Sequence, residues 1–331
     1  MHLRFFELEA NIEIAQSLFQ QNKYQDTIET CNQILSSDRN SIEALKLIAK
    51  SFLATRKIED ARLYLNQALN IKPDDYESIK DLGNTYQAVG DSNAAKNYYQ
   101  KAIAINSSYA PALSNLGFLE LISGNKQDAL SLLIKATESD PQLANAWGNL
   151  ANGYFQLKKV TEAEVTCRKS LELDPNLFNS HFLLSTILIE QKKLQEAEQA
   201  LCKTIGLNPN FFQAHLNLGA VLKDLGQLQK AEVSTRKAIE LNPNFFRSHF
   251  LLSTILIEQK RLQEAEKALR KTIELKPDFA QAYLNLGAVL KSQGQLQEAA
   301  KTTQRAIQVQ PSFAEAYNNL GTILQDLGKL E

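Results

Sequence analysis

The amino-acid sequence predicts an all-α fold, a solenoid of about nine and a half helix pairs. Three observations lead to this prediction: equivalent residues recur every 34 positions, apolar residues recur with a helical period, and loop-forming residues are few. The 331-residue chain contains 13 glycines and 8 prolines, about half of their usual share of roughly 12%. So few turn residues leave little room for long loops and favour helices joined by short turns.

The prolines, glycines and alanines of the chain follow one 34-residue grid. The residues on this grid are Pro73, Pro141, Pro175, Pro209, Pro243, Pro277 and Pro311; Gly83, Gly117, Gly219, Gly287 and Gly321; Gly90, Gly124, Gly226, Gly294 and Gly328; and Ala61, Ala95, Ala129, Ala163, Ala197, Ala231, Ala265 and Ala299. Only Arg39 and Ser107 stand where proline is expected, and Thr27 stands where alanine is expected. Repetition at this period indicates a repeat architecture.

Each repeat is predicted to contain two helices. In the fifth repeat an apolar face with i, i+3, i+4, i+7 spacing is formed by Trp147, Leu150, Ala151 and Tyr154. Lys158 then occupies the slot in which other repeats have a glycine, such as Gly90, that ends a helix in the left-handed conformation. A second helix follows, and Pro175 ends it. Small residues at the eighth and twentieth positions of each repeat let the two helices approach closely.

This pattern resembles that of the tetratricopeptide repeat family over residues 8–331. The family pattern W-x2-L-G-x2-Y…A…F…A…P is matched by Trp147, Leu150, Ala151, Tyr154, Ala163, Cys167, Ser170 and Pro175. After a lead-in of residues 1–7, repeats are predicted to begin near Leu8, Ile42, Tyr76, Ala110, Ala144, Phe178, Phe212, Phe246 and Ala280, and a tenth begins at Ala314 with only its first helix. The resemblance implies a right-handed superhelix whose repeats contact only their neighbours.

The sequence also has a second period of 68 residues, which corresponds to two repeats. Residues 178–207 and 246–275 are identical at 25 of 30 positions. The segments that begin at Phe212 and Ala280 share the octapeptide LNLGAVLK, whereas the first four repeats are more individual. This contrast raises the question of whether the two halves bind different partners.

Composition excludes several classes of function. The net charge of −1 argues against binding of nucleic acid through bulk charge. No apolar run of 18 residues is present, so no membrane span is expected, and the acidic residues near the N-terminus do not fit a signal peptide. Three cysteines without a pairing pattern fit a reducing compartment. We therefore expect a cytoplasmic protein without nucleic-acid or membrane partners.

No motif in the sequence indicates catalysis or a cofactor, and we expect neither an enzyme nor a metal site. His181, His215 and His249 are 34 residues apart, in the position of Trp147. Packed helices lie about 8–10 Å apart, whereas zinc needs nitrogen atoms at roughly 2.0–2.1 Å. The histidines are therefore interpreted as packing residues. Cys31 and Cys167 are likewise predicted to lie in the core as small apolar residues.

The resemblance implies that the first helices line a concave surface into which positions 2, 5, 6, 9, 12 and 13 of each repeat point. We call these positions the groove face. They predict a peptide- or partner-binding site that comprises Lys80, Asn84, Asn115, Asn149, Asn152, Phe182, Leu216, Asn217, Lys223, Phe250, Leu284, Asn285, Lys291 and Asn319.

The fifth position alternates between Phe182, Leu216, Phe250 and Leu284 in repeats six to nine. Exposed apolar side chains of this kind are typical of a binding surface. The alternative is that the packing of the array itself uses them. We expect the double substitution Phe182→Ala with Phe250→Ala to weaken partner binding without an appreciable change in the thermal midpoint.

The sixth position resembles the asparagine ladder of the O-linked N-acetylglucosamine transferase arrays. That resemblance implies amide contacts to an extended peptide backbone. The ladder is interrupted by Leu47, Asp81, Leu183 and Leu251.

A second resemblance is to the carboxylate clamp, with which some members of the family grip the C-terminus of chaperones. Lys80, Asn84 and Asn115 match three of its positions, but Asn145 and Asn149 stand where two cations are required, which argues against a clamp.

The predicted function is a non-catalytic scaffold that holds an extended peptide or a partner helix on the groove face. The alternative is the substrate-recruiting arm of a transferase or oxygenase whose catalytic domain lies beyond residue 331. The chain stops at Glu331, after the first helix of the tenth repeat, as expected for a piece of a longer protein. A homodimer through this open end is a third alternative.

Overall fold

The computed structural model describes the backbone of residues 2–328 and the side chains from residue 10 onward. These residues form nineteen helices and no strand, which confirms the predicted all-α solenoid. The chain divides into two compact units, residues 1–175 and 176–331. Residues 329–331, which belong to the open end predicted as a dimer interface, lie outside the described part of the chain.

The helices alternate between first and second members of a repeat. The first unit contains α1 (His2–Gln20), α2 (Tyr24–Ser37), α3 (Ile42–Ala54), α4 (Ile58–Ile71), α5 (Tyr76–Ala88), α6 (Ser92–Ile105), α7 (Ala110–Ile122), α8 (Lys126–Ser139), α9 (Ala144–Gln156) and α10 (Val160–Leu173). The second contains α11 (Phe178–Glu190), α12 (Leu194–Leu207), α13 (Phe212–Asp224), α14 (Leu228–Leu241), α15 (Phe246–Glu258), α16 (Leu262–Leu275), α17 (Ala280–Ser292), α18 (Leu296–Val309) and α19 (Ala314–Asp326).

Each first helix from α3 to α19 begins on the 34-residue grid, at the residues named above as repeat starts. The helix α1 is longer, because it begins at His2 and so includes residues 2–7 of the segment interpreted as a lead-in. Within each unit every helix packs against the next one, and first helices also touch, as α7 touches α9 and α17 touches α19. Contacts are thus local in sequence, as in a solenoid.

The turn within each repeat depends on one residue in the left-handed region. Gly90 has φ +84°, its N–H donates to the carbonyl of Gln87 at 3.0 Å, and the N–H of Asp91 donates to Tyr86 at 3.0 Å. These are the two bonds of a Schellman motif. Where the grid has lysine instead, the backbone is the same: Lys192 has φ +59° and Lys260 has φ +61°. The turn geometry therefore persists without glycine.

The eighth position of the repeat is small because the second helix approaches it closely. A Cβ atom added at Gly83 would lie 2.5 Å from the Tyr99 ring, and one at Gly287 would lie 2.2 Å from Oγ1 of Thr303. This confirms the interpretation of these glycines. Gly321 meets nothing within 4 Å, because α19 has no second helix among the described residues.

The core of each unit lies between its first and second helices. Leu65 and Leu113 are fully buried in the first unit, as are Ile187 and Leu256 in the second. Cys31 and Cys167 are both 0% exposed, which confirms their predicted place in the core. Burial raises the pKa of the Cys31 thiol to about 12, so this thiol stays protonated and packs as an apolar group.

Candidate functional site

The groove face of the first unit carries one connected polar network. The Lys80 ammonium group and Nδ2 of Asn84 both contact Oδ1 of Asp81, at 2.5 and 3.0 Å. Nδ2 of Asn115 donates to Oδ1 of Asn84 at 2.8 Å, and the hydroxyl of Tyr99 reaches the same oxygen at 2.8 Å. Three predicted site residues thus lie together, but they bind one another. Asp81 neutralises the lysine that a carboxylate clamp would need.

Asp81 itself is a feature of this face that sequence reasoning noted only as a break in the asparagine pattern. It is 2% exposed, and its Oδ2 atom is buried without a hydrogen-bond partner in the described part of the chain. A buried carboxylate of this kind is costly unless it is paired. The bonds from Lys80 and Asn84 to Oδ1 supply that pairing.

A second ion pair lies one repeat earlier on the same face. Nζ of Lys46 lies 2.8 Å from Glu77 and 4.0 Å from Asp75. Burial opposes the charge of Lys46, but the hydrogen bond to Glu77 and the field of the nearby carboxylates outweigh it, so the pKa of Lys46 is raised.

The predicted groove asparagines of α9 also have partners within the protein. Nδ2 of Asn149 donates to the Ser114 hydroxyl at 3.0 Å, and Oδ1 of Asn152 accepts from Gln156 at 3.4 Å.

The phenylalanines at position five of the second unit pack against rings of the following repeat. Phe182 meets Phe211, and Phe250 meets Phe279, each edge to face with ring centroids 4.9 Å apart. Phe250 also packs against the buried cluster that includes Leu252. These contacts are structural, so their removal is expected to lower stability, contrary to the expectation from the sequence.

The two leucines at position five differ in exposure. Leu284 is 8% exposed and packs with Ala306 and Ala316, whereas Leu216 is half-buried. Leu284 therefore offers little surface to a partner.

The predicted groove lysines of the second unit join neighbouring repeats. Nζ of Lys223 lies 3.3 Å from Glu258, which is 35 residues away, and also 3.3 Å from Asp224. Nζ of Lys291 lies 3.1 Å from Asp326, again 35 residues away. Burial opposes the charge of Lys223, but Asp224 and Glu258 raise its pKa overall. Both lysines are therefore balanced by acids of the adjacent first helix.

One open cavity of about 280 Å³ lies on the groove face of the second unit. Its lining consists of Thr254, Ile257, Glu258, Leu262, Asn285, Ala288, Val289 and Ser292. Oδ1 of Asn285 accepts from Gln281 at 3.0 Å, and its Nδ2 donates to no described residue. An apolar floor beside an available amide suits a peptide side chain and its backbone.

Of the eight lining residues, only Asn285 was among the predicted site residues. Two of the others, Leu262 and Val289, do not even occupy groove-face positions. Leu262 opens the second helix of its repeat, and the grid repeats this leucine at Leu194, Leu228 and Leu296. That recurrence is a signal in the sequence that could have indicated its role.

Two further asparagines were predicted to lie on this face. Asn217 is half-buried, and Asn319 has its Nδ2 buried without a partner among the described residues.

The histidines take a structural role that the packing interpretation anticipated only in part. Nε2 of His215 lies 2.9 Å from the carbonyl of Pro209, and Nε2 of His249 lies 2.8 Å from that of Pro243. The indole N–H of Trp147 donates to Pro141 in the same way, at 3.0 Å. The ring at position four thus forms a hydrogen bond to the proline carbonyl in the loop that precedes its helix. The described residues contain no cluster of side chains that could hold a metal ion.

Nor do the described helices include one that combines the length and apolarity needed to cross a bilayer.

Comparison with protein families connects these features to a known repeat. The model described as the cilia and flagella-associated protein 70 C-terminal domain matches residues 76–282, more than half of the chain. Models described as TPR or tetratricopeptide repeat match residues 18–83, 268–301 and 289–328. No curated protein sequence matches the chain.

Solved structures show the same fold at low sequence identity. YrrB, described as a TPR protein with an unusual peptide-binding site, is 24% identical with a TM-score of 0.51, over 56% of this chain and 96% of YrrB. The APC/C hetero-tetramer Cut9–Hcn1 is 18% identical with a TM-score of 0.67, over 83% of this chain and 54% of that one. The Pseudomonas aeruginosa protein pilF is 21% identical with a TM-score of 0.56, over 62% of this chain and 94% of pilF.

Proposed function

The chain belongs to the tetratricopeptide repeat family, and we propose that it is a non-catalytic protein-interaction scaffold that binds an extended segment of a partner protein on its groove face. The fold of this family typically serves scaffolds of this kind. The observation that carries the proposal is the cavity beside Asn285, where an apolar floor adjoins an amide N–H group that donates to no described residue.

The two units contribute differently to this proposal. In the first unit, Lys80, Asn84 and Asn115 bond to one another or to Asp81, so a ligand would have to replace bonds that already exist. In the second unit, the cavity floor is formed by Ile257, Leu262 and Val289, and an apolar side chain that enters it replaces only water. We therefore place the main binding region in the second unit.

Energetics favour an extended ligand over a short one. Burial of one apolar side chain contributes roughly 1.5–3 kcal/mol, whereas association costs roughly 4–15 kcal/mol. One cavity cannot offset that cost. Useful affinity requires a segment that contacts several repeats, with backbone groups that bond to amides such as that of Asn285.

A peptide selection with crosslinking tests this proposal. Random peptides of about a dozen residues, long enough to cross several repeats in extended form, are displayed and selected on the full chain. An enriched peptide is then synthesised with a photoreactive phenylalanine analogue, and its crosslinks are mapped by mass spectrometry. We expect crosslinks on α13, α15 and α17. Crosslinks confined to α14, α16 and α18, or no enrichment at all, would contradict the proposal.

A further inference from the structure

The 68-residue period gives the second unit two copies of the same groove-face surroundings. The residues 68 positions before the lining of the cavity at Asn285 include Thr186, Ile189, Leu194, Asn217, Ala220 and Val221. Seven of the eight lining residues are the same amino acid in both sets, and only Asp224 differs, in place of Ser292. We call the surroundings of Asn217 subsite 1 and those of Asn285 subsite 2.

The two subsites agree in burial at their valine and isoleucine positions, whereas Ala220 is half-buried and Ala288 is exposed. Val221 and Val289 are both 2% exposed, and Ile189 and Ile257 are both half-buried. The hydroxyls of the paired threonines both donate to carbonyls of their own helix, at 3.1 Å in subsite 1 and 2.8 Å in subsite 2. Neither hydroxyl therefore forms a hydrogen bond across its subsite to another helix.

The amides are available in both subsites too. Nδ2 of Asn217 and Nδ2 of Asn285 donate to no residue in the described part of the chain. Each subsite thus offers one hydrogen-bond donor next to an apolar floor.

The position between the subsites is different. Lys223 stands where each subsite has isoleucine, and Leu251 stands where each has asparagine. Nζ of Lys223 lies 3.3 Å from Glu258, so this position is occupied by an ion pair that joins two repeats. A ligand that crosses both subsites therefore meets an apolar, then a charged, then an apolar surface.

The distance between the subsites sets the spacing of the ligand. Packed helices are about 8–10 Å apart, and the first helices α13 and α15 touch each other. A step of two repeats therefore spans on the order of 20 Å. An extended chain rises about 3.3 Å per residue, so this step corresponds to about six residues.

We infer that the ligand of the groove face is one extended segment of a partner protein that carries two apolar side chains about six residues apart, with polar residues between them. This inference rests on the proposed function and assigns a role to the 68-residue duplication. Two linked anchors bind more tightly than either alone because the second binds within the first complex.

Peptide variants test the spacing. In a peptide enriched from the random pool, the second apolar residue is replaced by serine, or moved by one position so that it points to the opposite side of an extended chain. Each change should weaken binding by about 10- to 100-fold, the loss expected for one apolar anchor. Enriched peptides that crosslink to the groove face but tolerate both changes would overturn the inference and leave the proposed function intact. A pool without enrichment would overturn both.

Protein variants test the equivalence of the subsites. Ala220→Trp fills subsite 1 and Ala288→Trp fills subsite 2, while Val233→Trp, at a residue of α14 that is 70% exposed, is the matched control. Circular dichroism verifies that each variant folds, and the peptide series stands independently if one does not. The first two variants should each lose about 10- to 100-fold in affinity and the control none. A loss in only one of the two would show that a single subsite binds.

Discussion

The two units place their large aromatic side chains differently. In the first unit, most ring pairs lie between the two helices of one repeat: Tyr86 of α5 stacks on Tyr98 of α6 at 5.2 Å, and the Arg62 guanidinium group lies 4.1 Å from the Tyr86 ring. The exception is Tyr76 with Tyr109, at a repeat boundary. In the second unit, rings lie mainly where one repeat meets the next, as Phe212 meets Phe245 and Phe246 meets Phe279, both at 5.2 Å. The same grid therefore supports two ways of filling space.

The consequence appears at the twenty-third position of the repeat. Tyr64 and Tyr98 occupy this position in the second and third repeats, whereas Ala268 and Thr302 occupy it in the eighth and ninth. Open cavities of about 560 and 580 Å³ lie at these two smaller residues. In these two repeats of the second unit the small residue thus borders an open cavity, whereas in the third repeat Tyr98 packs on Tyr86. A repeat protein can in this way keep its fold and vary its surfaces.

The largest effect expected from this difference concerns position twenty-four. Tyr99 is 0% exposed, and Tyr99→Ala should cost about 3–5 kcal/mol. Its equivalent in the second unit is Thr303, whose hydroxyl is buried without a partner, so Thr303→Ala should change stability by less than about 0.5 kcal/mol. Hydrogen exchange in α5–α6 and in α17–α18 measures both local stabilities. Equal losses in the two variants would break the comparison.

A smaller effect is expected at the repeat boundaries of the second unit. Phe182→Ala and Phe250→Ala each remove an edge-to-face contact and part of a half-buried ring, at a cost of about 1.5–3 kcal/mol each. Thermal unfolding followed by circular dichroism should show a lower midpoint. The control Phe250→Leu keeps most of the apolar volume and should lose less. An unchanged midpoint in the double variant would restore the view that these rings serve binding alone.

The turns allow a third test, because lysine and glycine share one conformation. Lys260 has φ +61°, a region that costs a side-chain-bearing residue roughly 1–2 kcal/mol. Part of this is offset by the chain entropy of glycine, so Lys260→Gly should stabilise by about 0.5–1 kcal/mol. The reverse change, Gly294→Ala at φ +77°, should destabilise by a similar amount. Chemical denaturation of both variants gives the two values, and a loss of stability in Lys260→Gly would contradict this account.

The features that could be predicted from the sequence depend on neighbours along the chain. Helix starts, the left-handed residue at Gly90 and the small residue at Gly83 follow from periodicity and from the chemistry of one position. The partner of each groove side chain could not be predicted in this way, since it depends on rotamers and on residues a repeat away. Lys80 and Asn115 matched a binding pattern, and only the structure shows that Asp81 connects them through Asn84.

Some of these partners could have been found in the sequence, but not by comparing residues exactly one repeat length apart. Lys223 and Glu258, and likewise Lys291 and Asp326, are 35 residues apart, one more than the repeat length. A search for opposite charges at that spacing would have indicated that these lysines join repeats. The phenylalanine pairs Phe182–Phe211 and Phe250–Phe279 recur as well, each joining a first helix to the loop before the next first helix. Their spacing is shorter than the repeat length, so a search at the repeat period alone does not find them.

The smallest expected effect concerns the ion pairs that join second helices in the second unit. Glu232 contacts Arg236 of its own helix and Arg261 of the next repeat, at 2.8 and 2.5 Å. Burial opposes its charge, but bonds from both arginines lower the pKa of Glu232 below its ordinary value of 4.5. The stabilisation is therefore complete above that value and is lost as pH falls below it. Glu232→Gln should cost less than about 1 kcal/mol at pH 7 and flatten the acid limb of the stability profile. The free energy of unfolding of wild type and variant, measured from pH 7 to pH 3, checks this. Curves that run parallel would show that the ion pairs of Glu232 do not stabilise the fold.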